Sequence, residues 1–85
     1  MRLIQTSGFT DSLRSLTKRN PILSKKVKKS LKFLKQNLNH PSLRLHKIQG
    51  TNNYSVSVDM SLRIIVHIEG ASVFLLNIGY HDEVY

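Results

Sequence analysis

Arg63, His46, His67, His81, Tyr80 and Tyr85 are the side chains of this sequence best suited to chemistry on a phosphodiester. The planar fork of an arginine meets two phosphate oxygens at once and stabilises charge that builds on them. Histidine moves protons near neutral pH. Cutting an RNA strand without a metal requires a base for the ribose 2′ proton, a cation for the extra charge on phosphorus, and an acid for the departing 5′ oxygen. No spacing among these residues is diagnostic alone, and each has an ordinary reading beside it. Arg63 also suits a solvated strand position. His67, between Val66 and Ile68, reads as a sheet-surface histidine, and His40 beside Pro41 as a helix-terminus residue. His81 and Tyr85 equally fit a tail. His40 and His46 match no zinc-ligand spacing, and the chain has no cysteine. Neither a metal nor a cofactor is therefore expected.

Charge narrows the choice of partner. Thirteen Lys and Arg oppose five Asp and Glu, a formal +8 with a pI near 10.2 in 85 residues. A domain of that size with that charge carries a positive potential over much of its surface, suited to nucleic acid, an anionic membrane or an acidic protein. Hydrophobic residues make up 40% of the chain, enough with their periodicity for a folded domain and not a basic tail. Met1 to Gln5 lacks the apolar stretch of a signal peptide, and no apolar run is long enough to cross a bilayer. A cytoplasmic protein with no membrane partner is the expectation, and residues 1–85 are read as one domain.

The elements that must position these residues follow from two periodicities. Residues 2–6 suit a short first strand, and Thr10 or Asp11 a cap for the helix after it. Asn20-Pro21 interrupts that helix. Over residues 22–38, Leu23, Val27, Leu31, Leu34 and Leu38 recur at spacings of three and four, which makes one apolar stripe. Lys25, Lys26, Lys28, Lys29, Lys32 and Lys35 occupy the remainder, a solvated face that could also touch RNA phosphates. After Pro41 the period becomes two. Leu43 and Leu45 alternate with Arg44 and His46. Tyr54, Val56 and Val58 alternate with Ser55, Ser57 and Asp59. From residue 62 to 68, Leu62, Ile64, Val66 and Ile68 share one face and Arg63, Ile65 and His67 the other, while the apolar run from Val73 to Leu76 suits a central strand. The predicted fold is α+β, in the order β-α-α-β-β-β: a twisted antiparallel sheet with two helices packed on one face. Its other face, carrying Ser55, Ser57, Arg63 and His67, is expected to stand uncovered and to be the working surface.

Four segments taken in order resemble the RelE/ParE toxin superfamily. They are Leu45-His46-Lys47-Ile48-Gln49-Gly50, Tyr54-Ser55-Val56-Ser57-Val58, Leu62-Arg63-Ile64-Ile65-Val66, and Ile78-Gly79-Tyr80-His81-Asp82-Glu83-Val84-Tyr85. No single segment is specific, but the four at family spacing, over roughly residues 20–85, are. The resemblance implies a toxin of a type II toxin–antitoxin system that cleaves mRNA in the ribosomal A site, bound in a hetero-oligomer by an acidic antitoxin. Carried over by position, it makes Arg63 the group that stabilises the transition state and His81 a general acid. Tyr85 becomes the aromatic that positions the nucleotide or assists proton transfer. His46 falls on a catalytic histidine of the YafQ-like branch and serves as base, although the two histidines could exchange roles. Ser55, Ser57, Lys47, Tyr80 and Asp59 are implied to line the substrate. Ser55 and Ser57 replace lysines of the RelE type, and Asp59 stands in for an acid of the YafQ type. Two other readings compete: a gyrase-inhibiting, ParE-like toxin without nuclease activity, and a basic nucleic-acid-binding module without chemistry.

Overall fold

Alternation with a period of two becomes a hydrogen-bonded sheet when one set of side chains has something apolar to cover it. The structure, a computed structural model that describes residues 1–80, supplies that cover with two helices. Strand β1 (Arg2–Gln5) leads into α1 (Ser7–Thr17) and α2 (Pro21–Gln36), and a 3₁₀ turn (Pro41–Leu43) follows. The chain then forms β2 (His46–Lys47), β3 (Asn53–Ser57), β4 (Leu62–Glu69) and β5 (Ser72–Tyr80). The sheet order is β1-β5-β4-β3-β2.

Leu62, Ile64 and Val66 of β4 are fully buried, together with Val56 of β3, Val73 and Leu75 of β5, and Phe9 and Leu34 from the helices. Burying one such side chain contributes about 1.5–3 kcal/mol. These residues form one cluster between the helices and a single face of the sheet. The pairing Val56↔Ile64↔Ile78 runs straight across it.

The sheet is mixed. Strands β2 to β5 pair antiparallel, as their short connections require, but β1 lies parallel to β5 with Leu3 opposite Val73. A parallel neighbour needs a long crossover, and the two helices provide it.

Helix α1 starts a turn earlier than its candidate caps suggest. Thr6, not Thr10 or Asp11, accepts from the Phe9 amide at 3.3 Å, and its hydroxyl donates to the Leu75 carbonyl at 2.7 Å. The second bond comes from a residue 69 positions away, which no local pattern reveals. Helix α2 begins as expected: Asn20 Oδ1 accepts from the Leu23 amide at 3.0 Å and Pro21 takes the first position. It stops at Gln36, two residues short of the expected end at 38, because Asn37 turns extended and its Oδ1 accepts from the Asn39 amide.

Residues 43–47 depart furthest from their pattern. Leu43 closes the 3₁₀ turn, fully buried, and Arg44 then adopts left-handed backbone angles of φ 46° and ψ 48°. Only His46 and Lys47 pair as strand, opposite Ser55 and Tyr54.

Candidate active site

Residues directly opposite one another on neighbouring strands share a face. His46 opposes Ser55, and Ser55 opposes Ile65; one step along, Ser57 opposes Arg63, and Arg63 opposes Gly79. His46, Ser55, Ser57 and Arg63 therefore stand together on the side of the sheet away from the helices. From strand spacing and rise, the His46 and Arg63 backbones lie about 12 Å apart. An imidazole and a guanidinium can close that gap onto one phosphate held between them.

Two groups on this face are buried without a hydrogen-bond partner among the described residues: Ser55 Oγ, and Nε and Nη1 of Arg63. Buried donors without acceptors are costly, and a charged one more so. Gly79 stands directly across from Arg63 on β5. The face is not bare at its centre, however, as the alternation led one to expect: Ser55 is 0% and Ile65 8% exposed. Ser55 is short and stands in a row between His46 and Ile65.

His46 is exposed, and its Nδ1 lies 3.2 Å from the Arg44 carbonyl. A carbonyl only accepts, so Nδ1 is the donor in that contact.

The other candidates are placed elsewhere. Lys47 opposes Tyr54 and Tyr80 opposes Leu62, which puts both on the opposite side of the sheet from Arg63. Ser57 Oγ donates to the Asp59 carbonyl at 2.7 Å, so this side chain has a partner although it adjoins Arg63. Asp59 closes the β3–β4 turn: its Oδ1 accepts from the amides of Ser61 at 3.0 Å and Leu62 at 2.8 Å, and its Oδ2 lies 3.7 Å from Lys26 Nζ. Burial pushes this carboxyl up, but the two amides and the ammonium together outweigh it and hold it below the usual carboxylate range. His67 pairs with Glu69 at 3.8 Å and, four residues along β4 from Arg63, stands about 13 Å away along the strand. His40 stacks on Phe33 with ring centroids 3.9 Å apart, and its Nδ1 accepts from the Ser42 amide. His81 and Tyr85 lie outside the described residues. Among the described residues no three His, Asp or Glu gather as metal ligands, and no helix is long and apolar enough to cross a membrane.

Arg44 and Gly79 are the parts of this site that residue-type reasoning passes over. The first enters through a left-handed backbone angle and the second through its register opposite Arg63, and neither leaves a mark in spacing.

No protein-family model matches the chain, and no curated protein matches it in sequence. Solved structures do match it in shape. A metal-bound toxin from Helicobacter pylori superposes with a TM-score of 0.82 at 20% identity, covering 100% of this chain and 99% of that one. The YoeB/ParE toxin from Agrobacterium tumefaciens gives 0.81 at 13% identity, over 95% and 99%. The DinJ-YafQ complex from E. coli gives 0.83 at 16% identity, over 100% and 99%. The chain has the fold of these toxins. At such identities the likeness establishes architecture: two helices on one face of a five-stranded mixed sheet. In that fold the face opposite the helices is left to Arg63, Ser55 and His46.

Proposed function

We propose that this chain is the toxin of a type II toxin–antitoxin pair, a cytoplasmic, ribosome-dependent endoribonuclease that cleaves mRNA in the A site. One observation carries the reading: a guanidinium with two nitrogens shut off from solvent and no acceptor among the described residues, on the same sheet face as His46. The shared toxin fold supports it, and so does the charge of +8.

The reaction follows from those groups. His46 Nε2 takes the proton of the ribose 2′-OH. The 2′ oxygen bonds to the adjacent phosphorus, and Arg63 holds the charge that grows on the non-bridging oxygens. The P–O5′ bond breaks, leaving a 2′,3′-cyclic phosphate and a 5′-hydroxyl that needs one proton. The family resemblance gives that donation to His81 and the placing of the nucleotide to Tyr85. A chain this small has little surface with which to grip and bend mRNA, so the ribosome is left to present it in reactive geometry. Silencing falls to an acidic antitoxin that folds over the basic surface. The DinJ-YafQ structure, a toxin with its partner on the same fold, supports that pairing.

The test maps mRNA 5′ ends after brief induced expression, with Arg63→Ala alongside. New ends inside reading frames, lost in the variant, are expected. Broken DNA with intact transcripts would overturn the proposal in favour of gyrase poisoning.

A further inference from the structure

Beside the candidate active site, the 3₁₀ turn and the tip of the β3–β4 hairpin enclose a cleft of about 430 Å³, with Pro41, Arg44, Ser57, Asp59 and Met60 among its lining. That volume falls in the range of small-ligand sites. Ser57 is its link to the chemistry, since it is the direct cross-strand neighbour of Arg63. The cleft therefore borders the strand next to the one that carries Arg63.

We infer that this cleft is a specificity subsite for the ribonucleotide adjoining the scissile phosphate, with Arg44 taking the flanking phosphate and Met60 the face of the base. The inference rests on the endoribonuclease reading. Three features of the cleft carry it. Arg44 is exposed, and its guanidinium has neither an ion pair nor a hydrogen bond among the described residues. Its left-handed backbone is one that a residue with a β-carbon adopts only against a cost, the kind of local strain that collects at functional sites. The same residue hands its carbonyl to His46 Nδ1, so the cleft and the base are built from one turn. Met60 is 92% exposed at the hairpin tip and gives the rim an unbranched thioether that adapts to a flat apolar surface. Pro41 adds a second apolar patch. Asp59 is the one acidic side chain of the lining, and its charge is offset by the Ser61 and Leu62 amides and by Lys26, leaving Arg44 to set the local potential. Cation on one side and apolar surface on the other match a nucleotide, anionic at one end and flat at the other.

The test compares mapped mRNA ends after induction of the full chain as wild type, Arg44→Gly, Arg44→Lys and Met60→Ala. Glycine adopts φ 46° freely, so Arg44→Gly keeps the turn and the carbonyl that orients His46 while removing the guanidinium. It is expected to lower cleavage roughly tenfold or more, the worth of a charge-assisted contact, with Arg44→Lys recovering part of the loss. Met60→Ala, at a position too exposed to disturb the core, is expected to relax the base preference next to the cut without moving the other preferences. Arg44→Gly and Met60→Ala cutting at wild-type sites with wild-type efficiency would overturn the subsite and leave the role of Arg63 standing. Wild type producing no cleaved transcripts would overturn the nuclease reading, and the subsite with it.

Discussion

Replacing Arg63 with methionine should make the protein inactive and more stable at once. In the folded chain Arg63 Nε and Nη1 have no solvent and no acceptor among the described residues. An unsatisfied buried donor costs about 1–3 kcal/mol. Arg63 is only partly buried, so the lower part of that range applies, about 1–2 kcal/mol for the side chain. Methionine keeps much of the aliphatic stem and removes the orphaned donors. For a domain of 85 residues each kcal/mol moves the melting temperature by about 4–8 °C, so Arg63→Met should melt roughly 4–16 °C above wild type. Transition-state stabilisation is lost in the same step. Removal of one oxyanion partner slows comparable reactions about 10²–10³-fold. Thermal unfolding by circular dichroism and mapped mRNA ends read the two effects separately. A variant that melts at or below wild type would mean that the guanidinium stabilises the fold through a partner of its own. Arg63 would then not be held ready for a phosphate, and the same would follow if Arg63→Met still cut mRNA.

Other outcomes follow from the same geometry. His46→Asn should reduce cleavage by about 10²-fold or more while leaving the melting temperature almost unchanged, because the side chain is exposed; a fall in stability matching the fall in activity would deny it a role as base. Leu62→Ala removes a fully buried side chain at the start of β4 and should cost about 2–5 kcal/mol, enough in so small a domain to populate unfolded chains by denaturant titration. The carboxyl of Asp59 is held below its unfolded value, so its contribution to stability is complete above the unfolded pKa and disappears as pH falls through the folded one. Melting curves between about pH 5 and pH 3 should therefore converge for wild type and Asp59→Asn, and a constant gap over that window would contradict the pairing.

Much of this architecture is legible in local pattern. Alternation along residues 62–68 puts Arg63 on the face opposite Leu62, Ile64 and Val66, and the register agrees. The stripe from Leu23 to Leu34 makes α2 an amphipathic helix, and Asn20-Pro21 marks its start. The limits are equally particular. Thr6 caps α1 partly through a bond to Leu75, which only the folded chain brings near. The expected order has three strands after the helices, and the structure adds a fourth: alternation begins after Pro41, but burial of Leu43 in the core and the left-handed turn at Arg44 leave only His46–Lys47 to pair. Ser55 looked like a residue of an open surface and is fully buried.

Residue order alone settles which side chains share a face, because the pleat of a strand and the pitch of a helix are properties of a few consecutive residues. It also settles the excess of positive charge. Which strands become neighbours is a matter of long-range packing, and so is everything that depends on it: the parallel docking of β1 on β5, the row from His46 through Ser55 to Ile65, and the glycine facing Arg63. The unsatisfied guanidinium and the bond from Thr6 to the Leu75 carbonyl belong to that second class. Each is set by what a distant part of the chain places, or fails to place, within hydrogen-bond reach.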